Sequence, residues 1–330
     1  MKRFFPILLV ATLLAPALHA AELVVYTERK EPLVKPIFDL YTQETGTTVR
    51  LLSDGAPVLI ERLAAEGANT RADLFMTVDA GSLWQAAERG LLAPVTSTKL
   101  DAAVPAHLRD PQGRWFALSQ RARTIVYSTE RVQPGELSTY EDLADPKWKG
   151  RLCLRSAKKV YNQSLVATMI ERLGAERTEQ VVRGWVANLA APSFADDTLL
   201  AKAVAAGQCD VGLVNTYYVG RLQHDDPAFP VQVFWANQDD AGTHVNISGA
   251  GVVAASKHRA EAQAFLEWLA SEEVQHEFAA VNFEYPVRAG IALDPVVARW
   301  GRFRGDRVNV SVAGHRQAEA VRLMDRAGWH

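Results

Sequence analysis

Cysteine is scarce in this 330-residue chain: only Cys153 and Cys209 occur, so at most one internal disulfide is possible. Charge of one sign never forms a long block, since the 36 basic and 38 acidic residues are interspersed. Nothing in that pattern resembles a nucleic-acid-binding surface. Beyond the N-terminal segment, no apolar run is long enough to span a membrane. Internal repeats and low-complexity stretches are also missing.

A recognisable catalytic set is missing too. The eight histidines are scattered, and no Ser/His/Asp or Cys/His combination can be placed together. Only His244 stands near a glycine-rich segment, where a structural role is the better interpretation. We therefore predict that the protein is not an enzyme, and a hydrolytic enzyme is the least favoured alternative.

The first 20 residues have the organisation of an export signal. A basic start, Met1-Lys2-Arg3, precedes an apolar stretch over residues 4–18 and small residues suited to cleavage after Ala20 or Ala21. An uncleaved membrane anchor fits less well, because the apolar stretch is short and contains Pro6 and Pro16. We predict that residues 1–20 are a signal peptide and that the mature protein is periplasmic.

Export changes the meaning of the two cysteines, because disulfides form in oxidising compartments. Cys153 and Cys209 each lie in or beside a predicted strand. If those strands are neighbours, a disulfide between them would stabilise the fold by roughly 4 kcal/mol. The alternative is two buried free thiols.

The remaining 48% hydrophobic chain alternates between strand and helix patterns. Strands are predicted at 22–26, 48–52 and 73–78, and helices at 32–45, 56–66 and 82–89, with Ser82 as the N-cap of the third helix. This alternation predicts a doubly wound parallel unit. Residues 115–127 read as a segment that crosses into a second lobe, and residues 242–253 as its return. We predict an α/β protein with a ligand cleft between two lobes: residues 21–119 with 244–294, and residues 120–243 with 295–330. A single C-terminal helix is expected over 312–327, and a capping box at Ser138 and Glu141.

Three tyrosines fall at the predicted rim of the second lobe. Tyr217 and Tyr218 follow the apolar strand 210–214, and Tyr161 lies at another strand-to-helix turn. Ligands bind at such carboxyl ends of strands in open α/β sheets. For both rings of the pair to face one ligand the backbone must turn, and Gly220 would permit that. Converging phenols indicate a hard, highly charged cation such as Fe³⁺. The alternative is that one tyrosine of the pair packs in the core and the other lies on the surface.

Two arginines alternate in the crossing segment. Arg121 and Arg123 share one face of an extended stretch. Anion binding and a solvated strand edge are equally good interpretations.

With these features together, the chain resembles the periplasmic ferric-ion-binding proteins over essentially its whole mature length. The resemblance rests on five motifs: Tyr161-Asn162-Gln163-Ser164, Asn215-Thr216-Tyr217-Tyr218-Val219-Gly220, Asp145-Pro146-Lys147-Trp148-Lys149-Gly150, Gly242-Thr243-His244-Val245-Asn246-Ile247-Ser248-Gly249 and Glu284-Tyr285-Pro286-Val287. It implies a type II periplasmic-binding-protein fold and a monomer that delivers Fe³⁺ to an inner-membrane ABC permease. It further implies that Tyr161, Tyr217 and Tyr218 are the metal ligands.

The first lobe departs from this family. Lys30-Glu31 stands where many members have His-Tyr, and the turn at 53–57 offers no Glu. The resemblance therefore implies a carbonate-like synergistic anion held by Arg29 and Arg121. Coordination by Glu31 or Asp79 is one alternative. Another is the same fold with a different solute: an anion, a polyamine, thiamine or a sugar.

Overall fold

The structure is a computed structural model that describes residues 22–330, so the predicted export signal lies outside the described residues. The strands are β1 (Glu22–Thr27), β2 (Thr48–Ser53), β3 (Leu74–Thr77), β4 (Phe116–Ser128), β5 (Leu152–Cys153), β6 (Val211–Asn215), β7 (Val231–Phe234), β8 (Val245–Val252) and β9 (Tyr285–Pro286). The α-helices are α1 (Glu31–Thr45), α2 (Ala56–Glu66), α3 (Ala80–Glu88), α4 (Thr98–Ala103), α5 (Val160–Leu173), α6 (Ala175–Ala187), α7 (Asp197–Ala205), α8 (Thr216–Asp225), α9 (Arg259–Leu269), α10 (Glu272–Ala280), α11 (Pro295–Ala298), α12 (Val312–His315) and α13 (Gln317–Arg326).

The strands form a curled mixed sheet in the order β2-β1-β3-β8-β4-β6-β5, with β7 and β9 also paired to β4. β1 is parallel to both β2 and β3, as the strand–helix alternation predicted. β8 then joins antiparallel to β3. The carboxyl ends of β1 and β3 therefore meet at one edge.

The long strand β4 joins the two halves of the sheet. Its residues Phe116 to Ala122 pair with β8, while Arg123 to Tyr127 pair with β6. The crossing predicted at 115–127 is thus one strand whose two ends belong to different halves of the molecule.

The apolar side chains form three clusters. The first contains residues between 23 and 118 with residues 245–287, and also Val310 and Ala313 from the C-terminal segment. The other two contain residues between 125 and 236 with residues 285–300 and 320–329. These clusters lie on either side of the crossing strands. The exact lobe boundaries stay a prediction.

Three local expectations differ from the structure. Asp79, not Ser82, caps α3, since its side chain accepts from the backbone N–H groups of Gly81 and Ser82. The predicted single C-terminal helix is two helices, α12 and α13, separated at Arg316. The capping box at Ser138 does not form, because a 3₁₀ turn follows instead and Thr139 Oγ1 accepts from the N–H of Asp142.

The disulfide between Cys153 and Cys209 is present, with 5.9 Å between the two Cα atoms. Cys153 ends β5, and Cys209 lies just before β6, its parallel neighbour. Both residues are buried. The predicted adjacency of the two strands is therefore confirmed, and the alternative of free thiols is wrong.

In the part of the chain that is described, no helix combines the length and the apolarity needed to cross a membrane.

We expect the double substitution Cys153→Ala/Cys209→Ala to lower the free energy of unfolding by about 4 kcal/mol. The bond joins two residues with a sequence separation of 56 and so restricts the conformations of the unfolded chain. Without the bond, the unfolded chain regains this conformational entropy, which favours unfolding. Denaturant unfolding measures the difference. The unsubstituted protein unfolded with a reductant should match the double variant, and an unchanged midpoint under reduction would contradict the expectation.

Candidate functional site

Two helix N-termini meet at one edge of the sheet. α5 follows β5 and carries Tyr161 in its first turn, while α8 follows β6 and carries Tyr217 and Tyr218 in its first turn. Because β5 and β6 are parallel neighbours, their carboxyl ends lie at the same edge. The strand pairing thereby brings the three predicted tyrosines together.

Tyr217 and Tyr218 share one ligand-facing side because a helix begins there, not because of a glycine turn. Gly220 lies inside α8, and a Cβ added to it would lie 2.8 Å from the Cβ of Phe283. The expectation for Gly220 is therefore wrong. Its role is close packing of α8 against Phe283 and Trp300.

The three tyrosines line a cleft of about 750 Å³. Tyr161 and Tyr217 are each 7% exposed, and Tyr218 is half-buried. The rings of Tyr217 and Tyr218 lie 4.4 Å apart between centroids. Tyr217 is thus the more buried ring of the pair, while Tyr218 keeps some exposure, and both line the cleft. The other lining residues come from both halves of the sheet: Glu28, Arg29, Lys30, Pro32, Leu33, Val78, Lys159, Asp196, Thr198, Leu199, Arg221, Asn282 and Glu284.

A buried arginine organises the floor beneath the tyrosines. Arg123 is 1% exposed, and its Nη1 lies 2.8 Å from Oδ2 of the fully buried Asp197. Its Nε donates to Oδ1 of Asn162 in α5 at 2.8 Å, and Nη1 also donates to Oδ1 of Asn215 at 3.2 Å. The interpretation that Arg123 lies at a solvated strand edge is therefore wrong. Arg123 instead holds α5, α7 and the start of α8 in place.

The same network reaches two of the phenols. The side-chain amide of Asn215 donates to the hydroxyl of Tyr217 at 3.3 Å. Arg155 Nη1 lies 3.5 Å from the hydroxyl of Tyr218 and 3.6 Å from Oδ1 of Asp197. Burial works to lower the pKa of Arg155, but Asp197, Tyr218 and Tyr161 together outweigh it and the pKa is raised.

Further cations lie over the tyrosine rings. Lys159 Nζ is 4.5 Å from the ring centroid of Tyr161, and the guanidinium carbon of Arg121 is 5.5 Å from it. The guanidinium carbon of Arg221 lies 5.0 Å from the ring centroid of Tyr217. These cations favour the ionised phenolate electrostatically.

Burial nevertheless keeps two of the phenols, those of Tyr161 and Tyr217, protonated in the free protein. Desolvation raises the pKa of both, and the charge of Arg121 only partly opposes these shifts. Desolvation also lowers the pKa of Lys159. These two phenols are therefore neutral in the free site and ionise only when a cation compensates the charge.

The opposite wall contains a buried ion pair. Arg29 Nη2 lies 2.5 Å from Oε2 of Glu284, and Ser119 Oγ donates to the same oxygen at 2.5 Å. Burial works to raise the pKa of Glu284, but the charges of Arg29 and Arg121 hold it below its ordinary value. Arg29 lines the cleft, as predicted for an anion-binding residue.

Arg121 lies beside Tyr161 but does not itself line the cleft. It is 1% exposed, so the solvated strand edge is wrong for this arginine as well. Its guanidinium donates to the carbonyl of Val78 and to Ser248 Oγ. The Nε of Arg121 and the Nε of Arg29 are both buried and have no hydrogen-bond partner within residues 22–330.

The two alternative first-lobe ligands lie elsewhere. Asp79 is fully buried, and its Oδ2 accepts from Ser164 Oγ and from the side-chain amide of Asn246, each at 2.7 Å. Its Oδ1 is taken by the α3 cap. Asp79 therefore joins α3 to α5 and β8. Glu31 is exposed at the start of α1 and is not part of the cleft lining.

His244 has the structural role expected for it. It is buried, and desolvation lowers its pKa to about 3, so its ring is neutral at physiological pH. Over the described range, no three His, Cys, Asp or Glu side chains are grouped so as to hold a metal ion. The three phenol oxygens are thus the donors that this cleft gathers on one side.

Comparison with known proteins identifies the family. The profile of a family described as bacterial extracellular solute-binding protein matches residues 69–302. The chain belongs to this family. Members transport solutes and are not enzymes, so the prediction of a non-enzymatic protein is confirmed.

Individual relatives of this solute-binding protein narrow the resemblance. It is 44% identical to iron uptake protein A1 of Synechocystis over 93% of this chain and 87% of that protein. It is 31% identical to an Fe(3+)-binding periplasmic protein of Serratia marcescens over 93% of this chain and 90% of that protein. A Trichodesmium structure in complex with iron and citrate ligands superposes with a TM-score of 0.91 at 46% identity, covering 94% of this chain and 100% of that one.

The resemblance to periplasmic ferric-ion-binding proteins and the type II periplasmic-binding-protein fold are therefore both confirmed. Three cleft residues of this solute-binding protein, Glu28, Lys159 and Arg221, were not predicted, and neither was Arg155 beside the hydroxyl of Tyr218. Arg221 stands four residues after Tyr217, and helical spacing places such residues on one face. That signal was usable only once α8 was known to begin at Thr216.

Two adjacent aspartates should differ in their effect on stability. Asp197→Ala leaves the buried Arg123 without its counter-charge and should lower the free energy of unfolding by about 3–5 kcal/mol. Asp196→Ala removes only the α7 cap, where the side chain accepts from Leu199 N–H, and should cost about 1 kcal/mol. Denaturant unfolding of both variants measures this contrast, and equal losses would contradict it.

Proposed function

We propose that this protein captures Fe³⁺ in its cleft and delivers it to an ABC permease of the inner membrane. The observation that carries the proposal is the convergence of Tyr161, Tyr217 and Tyr218 at two adjoining helix N-termini in one cleft. Two of the relatives, an iron uptake protein and an Fe(3+)-binding periplasmic protein, support iron as the cargo.

The chemistry follows from the hardness of the donors. A phenolate oxygen is a hard ligand, and a trivalent cation can displace a phenol proton far below the ordinary tyrosine pKa of about 10. Three phenolates neutralise the charge of one ferric ion. The scarcity of soft or neutral nitrogen donors in the cleft disfavours softer metals.

We further propose that a carbonate-like anion completes the coordination, held by Arg29 and Arg121. Arg29 lines the cleft and Arg121 lies beside Tyr161, which supports this role. The citrate in the Trichodesmium structure shows that a carboxylate ligand accompanies iron in that protein. Protonation of the anion would then be a first step of release.

The cellular setting completes the proposal. Residues 1–20 would direct export to the periplasm, where the mature protein acts as a monomer. The lobes would comprise residues 21–119 with 244–294 and residues 120–243 with 295–330, and would close about the crossing strands β4 and β8. A permease could then distinguish the closed, iron-loaded protein from the iron-free protein by its shape.

We expect a broad phenolate-to-iron charge-transfer band when Fe³⁺ and bicarbonate are added to the purified mature protein. Phe in place of Tyr161, Tyr217 or Tyr218 removes one phenolate, so each variant should show a weaker band and at least about tenfold weaker iron binding. Tyr127→Phe is the control, because Tyr127 lies in β4 outside the cleft lining. If no band appears at saturating iron, Fe³⁺ is not the cargo, and the protein instead binds another small solute.

The affinity for Fe³⁺ should fall on acidification. Burial raises the pKa of Tyr161 and Tyr217, so both phenols are protonated in the free protein at neutral pH and binding must release their protons. Release of these two protons would weaken binding by up to about 10² per pH unit. Iron titrations between about pH 7.5 and pH 5.5 against a chelator of known protonation measure the slope. Tyr217→Phe should release one proton fewer, and a level or rising affinity at low pH would contradict the mechanism.

A further inference from the structure

The proposed iron site draws all three of its phenols from one side of the cleft. Tyr161, Tyr217 and Tyr218 belong to α5 and α8, which pack on β5 and β6. A hard cation in an oxygen site takes about six donors. If the metal ion also bound a protein oxygen on the opposite wall, at the ends of β1 and β3, it would bridge the two walls. Metal binding would then favour closure of the cleft.

Three carboxylates line the cleft, and in each of them a single oxygen accepts the hydrogen bonds. Glu284 is already neutralised by its buried ion pair with Arg29. Asp196 lies on the same side as the tyrosines, where its Oδ1 caps α7 through the N–H of Leu199. Glu28 is the third, and it lies on the opposite wall, directly after β1.

The carboxylate of Glu28 is held in place yet keeps one oxygen free. Its Oε2 accepts from Thr77 Oγ1 at 2.8 Å and from the N–H of Val78 at 3.3 Å, both at the carboxyl end of β3. Its Oε1 accepts no hydrogen bond from any residue between 22 and 330. A fixed carboxylate with an uncommitted oxygen is preorganised for a metal, since little freedom is lost when it binds.

Glu28 also acts electrostatically across the cleft. Its charge contributes to the raised pKa of Tyr161, and it opposes the lowered pKa of Lys159. Both residues belong to the tyrosine side, at the N-terminus of α5. Glu28 lines the same cleft as Tyr161, Tyr217 and Tyr218, so a cation held there has phenols on one wall and this carboxylate on the other.

We propose that Glu28 is the first-lobe protein ligand of the ferric cargo, through Oε1, and thereby couples iron binding to closure of the cleft. This inference rests on the proposed function. The proposed ligand belongs to the same first turn as Lys30 and Glu31, the positions where many family members have His-Tyr, but it is a different residue of that turn. With three phenolates, and before the proposed anion is counted, it would give the iron a formal excess of one negative charge, which Arg155, Lys159 and Arg221 are placed to balance.

The matched test compares Glu28→Gln with Glu31→Gln. In Glu28→Gln the new amide oxygen can still accept from Thr77 and Val78, so the stability of the iron-free variant should not change. Removal of the charged donor should weaken iron binding by about tenfold or more and shift the charge-transfer maximum. Glu31→Gln removes an equal charge from an exposed neighbour and should change neither quantity.

Each outcome has a distinct meaning. A band in the unsubstituted protein, together with weaker binding and a shifted band in Glu28→Gln alone, supports the inference. A band that is identical in position and affinity in Glu28→Gln overturns it and leaves the tyrosine site intact. Weaker binding with an unshifted band, or equal weakening in Glu31→Gln, also overturns it in favour of a structural or long-range charge effect. No band in any of the proteins instead defeats the proposed function.

Discussion

The buried ion pair between Arg123 and Asp197 is the interaction on which the second half of the molecule depends. An isolated buried charge is very unfavourable, so the pair is tolerable only because hydrogen bonds use its remaining donors and acceptors. Those bonds run to α5 and β6 and so fix the elements that bear the tyrosines. The placement of the three tyrosines is thus set by a network that itself lies outside the cleft lining.

A second constraint is the electrostatic state of the free cleft. Phenols buried at helix N-termini stay neutral, and the cations beside them discourage a weakly charged metal ion from entering. A trivalent ion can overcome both effects because it ionises several phenols together. Selection for Fe³⁺ would then arise from burial and charge balance as much as from the identity of the donors.

Contacts between the halves show how binding can be coupled to shape. Asp79 connects the start of α3 with Ser164 in α5 and Asn246 in β8, while β4 passes through both halves without interruption. These contacts lie at the crossing strands, whereas the tyrosines and Glu28 lie at the cleft. A hinge motion about the crossing strands would therefore change the distance between the tyrosines and Glu28.

The sequence by itself determined the strand–helix alternation, the disulfide pair and the three rim tyrosines, because each has a local signal: periodicity, export with two cysteines, and position after an apolar strand. It placed Arg121 and Arg123 on one face but left their environment open. Only the tertiary structure decided that both are buried, that Asp79 joins the two halves and that Glu28 faces the tyrosine side. The reason is physical: burial and charge pairing depend on which distant segments pack together, and no local pattern around Arg123 specifies Asp197 as its partner.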